Sequence, residues 1–228
     1  MKNFQENIVP AERQNEKPVW ISENTGLRIL FVGNSITRHG KKPEIGWDRE
    51  CGMAASSADN DYVHLVLKKI MKYDKHPAWC IAQVADFERT FFEHDASYGY
   101  SLAAEFKPDI VIMFFGANVS RDYDTMENPP KTFFEAFEDM RNLLSNNGKA
   151  KVYISEGFYI RPVLDAEKKA VAEKYGDTFI SMDDIRTRED THGQFNHPGD
   201  LGMELIANRF FEAIEPEVKR LTDGFKQN

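Results

Sequence analysis

Cysteine is scarce in this chain. Cys51 and Cys80 are the only two among 228 residues. They are too few and too far apart for a disulfide framework, and no Cys-x-x-Cys pair exists to hold zinc. Both are read as free thiols, and neither sits in a setting that would make it a nucleophile. Long apolar runs are missing too. Nothing approaches the roughly 18 residues that a membrane helix requires, and the N-terminal stretch lacks the apolar core of a secretory signal. The chain is therefore expected to be cytoplasmic. An excess of positive charge is also absent: 37 acidic against 29 basic residues give a formal net charge of −8. That balance argues against broad binding to nucleic acid or to anionic membranes. There is no low-complexity segment and no internal repeat.

What is present is an alternation of short apolar runs and amphipathic stretches. Residues 1–25 are polar and read as an arm or short hairpin ahead of a single domain over 26–228. Strands are expected at 27–33, 78–84, 109–118, 150–157 and 177–182. The near-continuous apolar "DIVIMFFGAN" (109–118) reads as a central parallel strand covered on both faces. Helices are expected at 61–73, 97–106, 129–148, 163–176 and 198–221, from 3.6-residue periodicity and from Pro and Gly at their ends. Regular β-α alternation predicts a parallel sheet with helices on both faces. In such sheets ligands bind at the carboxyl ends of the strands.

That edge is where the chemistry-bearing residues collect. The first strand ends in Gly33-Asn34-Ser35 and the third in Gly116-Ala117-Asn118, and the loop before the last helix carries His197. A serine hydroxyl needs a base within hydrogen-bond reach, usually histidine, and the tetrahedral intermediate needs donors for its oxyanion. Ser35 is the candidate nucleophile and His197 the candidate base. The Ser35 backbone N–H and the Asn118 side-chain amide are the candidate donors. Gly33 permits a tight turn, and Gly116 is expected to let backbone approach the substrate. A helix opening at Ser35 would add positive potential where negative charge develops.

Plainer readings apply to several other residues. His64 reads as packing within a helix, and His76, His94 and His192 as surface residues. His39, four residues beyond Ser35, is a candidate substrate contact. Tyr159 and Arg161 follow the fourth strand and are expected to line a cleft. Asp183-Asp184 reads as a solvated strand-end pair rather than a metal or phosphoacceptor site. "GNSITRHGKK" is not a phosphate loop, because six residues separate Gly33 from Gly40 and no Ser or Thr follows Lys41.

The blocks "VGNSIT", "FFGAN" and "NHPGDLGMELIA", in this order, resemble the signature of the SGNH/GDSL hydrolase family. The resemblance runs over about residues 27–221. It implies a three-layer α/β/α, flavodoxin-like sandwich with a five-stranded parallel sheet. It also implies catalytic roles for Ser35, Asn118 and His197. The stretch 46–64 resembles an insertion found in a bacterial branch of the family. Two departures stand out. The family usually places Asp three residues before the histidine, where this chain has Gln194. The amide of Gln194 could orient the ring through its carbonyl oxygen. Asp190, Glu189, Asp200 or a backbone carbonyl are the alternatives. The family's glycine block, which supplies a further oxyanion N–H, has no glycine here. Ala85 is the first stand-in and Gly52 the second.

The resemblance implies a serine esterase or acylhydrolase, with a small-molecule ester as substrate. A short acyl or acetyl group on a carbohydrate or small alcohol is expected, with no metal or organic cofactor. An acyltransferase and a non-catalytic carbohydrate-binding domain on the same fold are the rival expectations, and Gln194 favours the latter.

Overall fold

The computed structural model describes residues 6–7, 19–93, 96–97 and 99–225. His94 lies outside them. Strands β1 (Glu6–Asn7), β2 (Val19–Ser22), β3 (Arg28–Gly33), β4 (Ala78–Gln83), β5 (Ile110–Phe114), β6 (Lys151–Ser155) and β7 (Thr178–Ile180) form one sheet in the order β1-β2-β4-β3-β5-β6-β7. From β4 to β7 every pairing is parallel, with Gly33 level with Gln83 on one side and Phe114 on the other. These are the five strands expected from the sequence, in flavodoxin-like order.

The sheet has two more strands than expected. β2 comes from the segment read as an arm or short hairpin. "VWIS" is β-branched and aromatic, and it pairs antiparallel with the outer edge of β4, Val19 opposite Ala82. Ser22 Oγ accepts the Trp79 N–H at 2.8 Å. β1 pairs antiparallel with β2.

The helices are α1 (Tyr62–Ile70), α2 (Ala85–Thr90), α3 (Ser101–Glu105), α4 (Phe133–Leu144), α5 (Pro162–Tyr175), α6 (Asp183–Arg186) and α7 (Asp200–Phe225). Alternation along β3 sends successive residues to opposite faces. Leu30 and Val32 pack with Val111, Met113 and the α4 residues Phe133, Phe137 and Met140. Ile29 and Phe31 pack with Ile110, Ile112, the α1 residue Val63 and the α7 residues Ile206, Phe210 and Ile214. The sheet thus separates two apolar cores.

Some boundaries move for local reasons. α4 is shorter than the expected 129–148, because Thr132 closes a capping box with Glu135 and left-handed Asn146 and Asn147 end the following turn. β5 stops at Phe114, and the chain turns away at Gly116 with φ 127°. No helix among the described residues is long and apolar enough to cross a membrane. Both cysteines are free and buried. His64 packs within α1, where Asp61 accepts both its backbone N–H and its Nδ1.

Candidate active site

β3 delivers Ser35 to the carboxyl edge of the sheet, beside the boundary between β3 and β5 where the chain connections diverge. Gly33 is required there by space: a Cβ on it would lie 1.7 Å from Thr37 Oγ1. The chain then turns back sharply, and the N–H groups of Thr37 and Arg38 both donate to the Asn34 carbonyl at 3.0 Å. Ser35 therefore sits in a turn. No helix opens at it, so the helix-dipole contribution conditionally expected from the sequence is not available.

The structure brings together residues 162 positions apart: Ser35 Oγ lies 2.8 Å from His197 Nε2. On the other side of the ring, Nδ1 lies 2.8 Å from the Phe195 carbonyl oxygen and 3.2 Å from Tyr159 Oη. A carbonyl only accepts, so Nδ1 carries the hydrogen and Nε2 is left with a lone pair facing Ser35. Burial pushes His197 below the ordinary histidine range. The bond to Phe195 partly offsets this, and the neighbouring His39 adds to it. Burial also pushes the Tyr159 hydroxyl up to about 12, so it stays protonated at neutral pH.

Gln194 does not orient the ring through its side chain, which is exposed. Its contribution is a carbonyl that accepts the His197 backbone N–H at 3.0 Å. The alternative acids do not hold the ring: Asp190 pairs with Arg188, Asp200 accepts from the backbone and hydroxyl of Ser56, and Glu189 is exposed. The support comes from a tight loop in which Phe195 and Asn196 are both left-handed, at φ 57° and 56°. His192 steadies that loop through Asn196 Oδ1 at 3.0 Å and is half-buried, not the surface residue expected.

Asn118 lines the same cleft as Ser35 and His197, a cavity of about 500 Å³. Its Oδ1 accepts from Arg89 at 3.1 Å, and its Nδ2 donates to Glu88 Oε2. An amide nitrogen has two hydrogens, so one remains for a ligand. The cleft is also lined by the charged Arg38, Lys42, Asp86 and Arg89, by His39 and Gln83, and by the apolar Trp20, Ile45, Met53 and Ala85, so polar groups are set into apolar surface.

The remaining expected site residues fare unequally. Ala85 lines the cleft, but its N–H donates to Gln83 Oε1 at 2.9 Å. Gly52 is not among the lining residues, and its N–H is held by Asp61 Oδ2 at 3.1 Å. Gly116 turns its N–H onto Glu88 Oε1 rather than towards a ligand. Tyr159 and Arg161, both expected to line the cleft, do not: Tyr159 stands behind the His197 ring, and Arg161 reaches into the loop after β5. Buried among acceptors, it grips Asp124 at 2.8 Å and the carbonyls of Val119 and Ser120 at 2.8 and 3.1 Å, fixing the loop after Asn118.

Sequence reasoning missed Glu88 and the short helix α2 that carries it. Glu88 is 0% exposed. It accepts from Asn34 Nδ2 at 3.0 Å, from the Gly116 N–H and from both the side-chain and backbone N–H of Asn118. Burial raises its carboxyl above the usual range, against the pull of these donors.

No family model matches the chain, and no curated protein matches it in sequence. Solved structures do match. An active-site mutant of a family two carbohydrate esterase from Clostridium thermocellum superimposes with a TM-score of 0.57 at 13% identity, over 86% of this chain and 65% of that one. A two-domain esterase active on acetylated mannans gives 0.57 at 19% identity, over 85% of this chain and 49% of that one. A GDSL-like lipase from Bacteroides ovatus gives 0.52 at 15% identity, over 84% of this chain and 100% of that one. The chain thus spans under two thirds of the length of the first two. It has the α/β/α fold of the SGNH hydrolases, the class that contains GDSL-like lipases and carbohydrate esterases.

Proposed function

We propose that the protein is a serine esterase or acylhydrolase acting through an acyl-enzyme on Ser35. The observation that carries this reading is the 2.8 Å approach of Ser35 Oγ to the unprotonated nitrogen of His197. As Ser35 Oγ bonds to the ester carbonyl carbon, its proton passes to His197 Nε2. The Ser35 N–H and the free N–H of Asn118 Nδ2 stabilise the oxyanion. Collapse breaks the bond to the leaving alcohol, which takes the proton from Nε2. Water then repeats the sequence and releases the acid.

The Phe195 carbonyl keeps the hydrogen on Nδ1, which is the tautomer this chemistry needs. In a serine protease, replacing the triad Asp by Asn costs about 10⁴ in turnover because the tautomer is wrong. A carbonyl avoids that loss and forfeits only the charge that would steady the imidazolium.

The charged and amide side chains of the cleft, Arg38, Lys42, Asp86, Arg89 and Gln83, suit the polar alcohol of a carbohydrate ester. Two of the solved structures with this fold are carbohydrate esterases, one of them active on acetylated mannans. A short acyl or acetyl ester of a carbohydrate is therefore the substrate class we favour. The test is a series of p-nitrophenyl esters from acetate to octanoate, together with acetylated mannan oligosaccharides, using wild type and Ser35→Ala. Turnover falling with chain length and abolished in Ser35→Ala is expected. Binding of the oligosaccharide with no turnover in either protein would replace this reading by a non-catalytic binding domain, the alternative favoured by the lack of a carboxylate against His197.

A further inference from the structure

Glu88 is a carboxyl group with no exposure and no role in the steps above. Burying such a group is costly unless every lone pair finds a donor. Its donors come from two separate segments at the carboxyl edge of the sheet. Asn34 Nδ2 belongs to the turn that presents Ser35. The Gly116 N–H and the two N–H groups of Asn118 belong to the loop after β5. Glu88 itself stands on α2, directly after β4. One side chain therefore joins the edges of three adjacent parallel strands at the point where the nucleophile and the amide donor meet.

The geometry points to Glu88 as the positioning residue of the oxyanion site, holding the Asn118 amide and the Ser35 turn in one fixed relation; this rests on the esterase reading above. Asn118 could otherwise rotate or flip its amide. With Nδ2 donating to a carboxylate and Oδ1 accepting from Arg89, only one orientation satisfies both neighbours. That orientation leaves the second Nδ2 hydrogen for the substrate. A carboxylate is a weak device for stability alone, since apolar replacements of buried charges are often neutral or stabilising. Its bonds here all terminate on the segments that carry the site.

The role requires two acceptor oxygens. In Glu88→Gln one oxygen becomes an NH2 group, which must face a donor: either Asn118, or Asn34 and Gly116. The test compares wild type, Ser35→Ala, Glu88→Gln, Asn118→Ala and the Glu88→Gln/Asn118→Ala double variant on p-nitrophenyl acetate, with thermal melts. Glu88→Gln is expected to lower kcat about 10- to 100-fold, the range of losing one oxyanion donor or less, with KM changed less than about threefold. Added to Asn118→Ala it is expected to cost almost nothing more, because it acts through Asn118. Glu88→Asp, which keeps the charge but shortens the reach, is expected to lose kcat similarly, and it decides the matter if Glu88→Gln does not fold.

Folded variants with kcat within twofold of wild type, or losses that multiply in the double variant, overturn the inference while the esterase reading stands. Collapse of both Glu88 variants also overturns it, making Glu88 a folding residue. A wild type no more active than Ser35→Ala overturns both.

Discussion

Phe195 holds His197 through its main chain: the Phe195 carbonyl oxygen lies 2.8 Å from Nδ1, while its own side chain is 40% exposed. The support for the candidate base is therefore independent of side-chain identity at 194 and 195. Gln194→Ala and Phe195→Gly are expected to keep kcat/KM within about twofold. Glycine at Phe195 relieves a left-handed residue but adds freedom to the unfolded chain, so stability is expected to change by no more than about 1 kcal/mol. Steady-state kinetics and thermal melts check both. A loss above tenfold in Gln194→Ala would return the ring to that side chain.

Burial sets the sign of the pH dependence. The protonated form of His197 is disfavoured, so the neutral base persists to lower pH than in a free histidine. The acidic limb of the pH profile of kcat/KM is expected to have its midpoint below about 6.5, the ordinary histidine value. A midpoint above it would mean that a carboxylate reaches the ring in solution.

Tyr159 is the second group on Nδ1, at 3.2 Å. Its hydroxyl remains protonated and contributes a neutral contact only. Tyr159→Phe is expected to lower kcat several-fold, corresponding to about 1 kcal/mol for one hydrogen bond. A loss near 10³-fold would give Tyr159 a direct part in proton transfer.

Much of this site was legible in the sequence because side chains at strand ends report their own place. Apolar runs located β3 and β5, and their ends located Ser35 and Asn118. The Pro-Gly entry to α7 located His197. What was not legible depends on main-chain atoms or on distant partners. The carbonyl that holds His197 exists at every residue, so nothing in "GQFN" marks it. Glu88 looks like a solvent-facing charge in "ADFERT". Its burial follows only once Asn34, Gly116 and Asn118 fold around it. Arg161 was expected in the cleft because it follows β6, and its direction was decided by Asp124 and two carbonyls that local sequence does not place. For residues 1–25 the sequence leaves an arm and a short hairpin open; the antiparallel β1–β2 pair agrees with the hairpin, but its docking on the open edge of β4 is not marked by four residues of local sequence.

Arg161 acts on the loop after Asn118 rather than on substrate. Arg161→Ala takes the buried guanidinium away from Asp124 and from the carbonyls of Val119 and Ser120. It is expected to lower stability by roughly 2–4 kcal/mol and to lower kcat more than it raises KM. Chemical denaturation and kinetics on the folded variant check this. A raised KM with unchanged kcat would place Arg161 on the substrate after all.

The pairing of Ser35 with His197 is tested most directly by intact mass after exposure to a fluorophosphonate. Wild type is expected to gain one phosphonyl group, mapped to Ser35, at a rate that falls as pH drops through the His197 titration. Ser35→Ala is expected to gain none, and His197→Ala to react at least 100-fold more slowly. Labelling that is absent from wild type, or unchanged in His197→Ala, would contradict an activated Ser35.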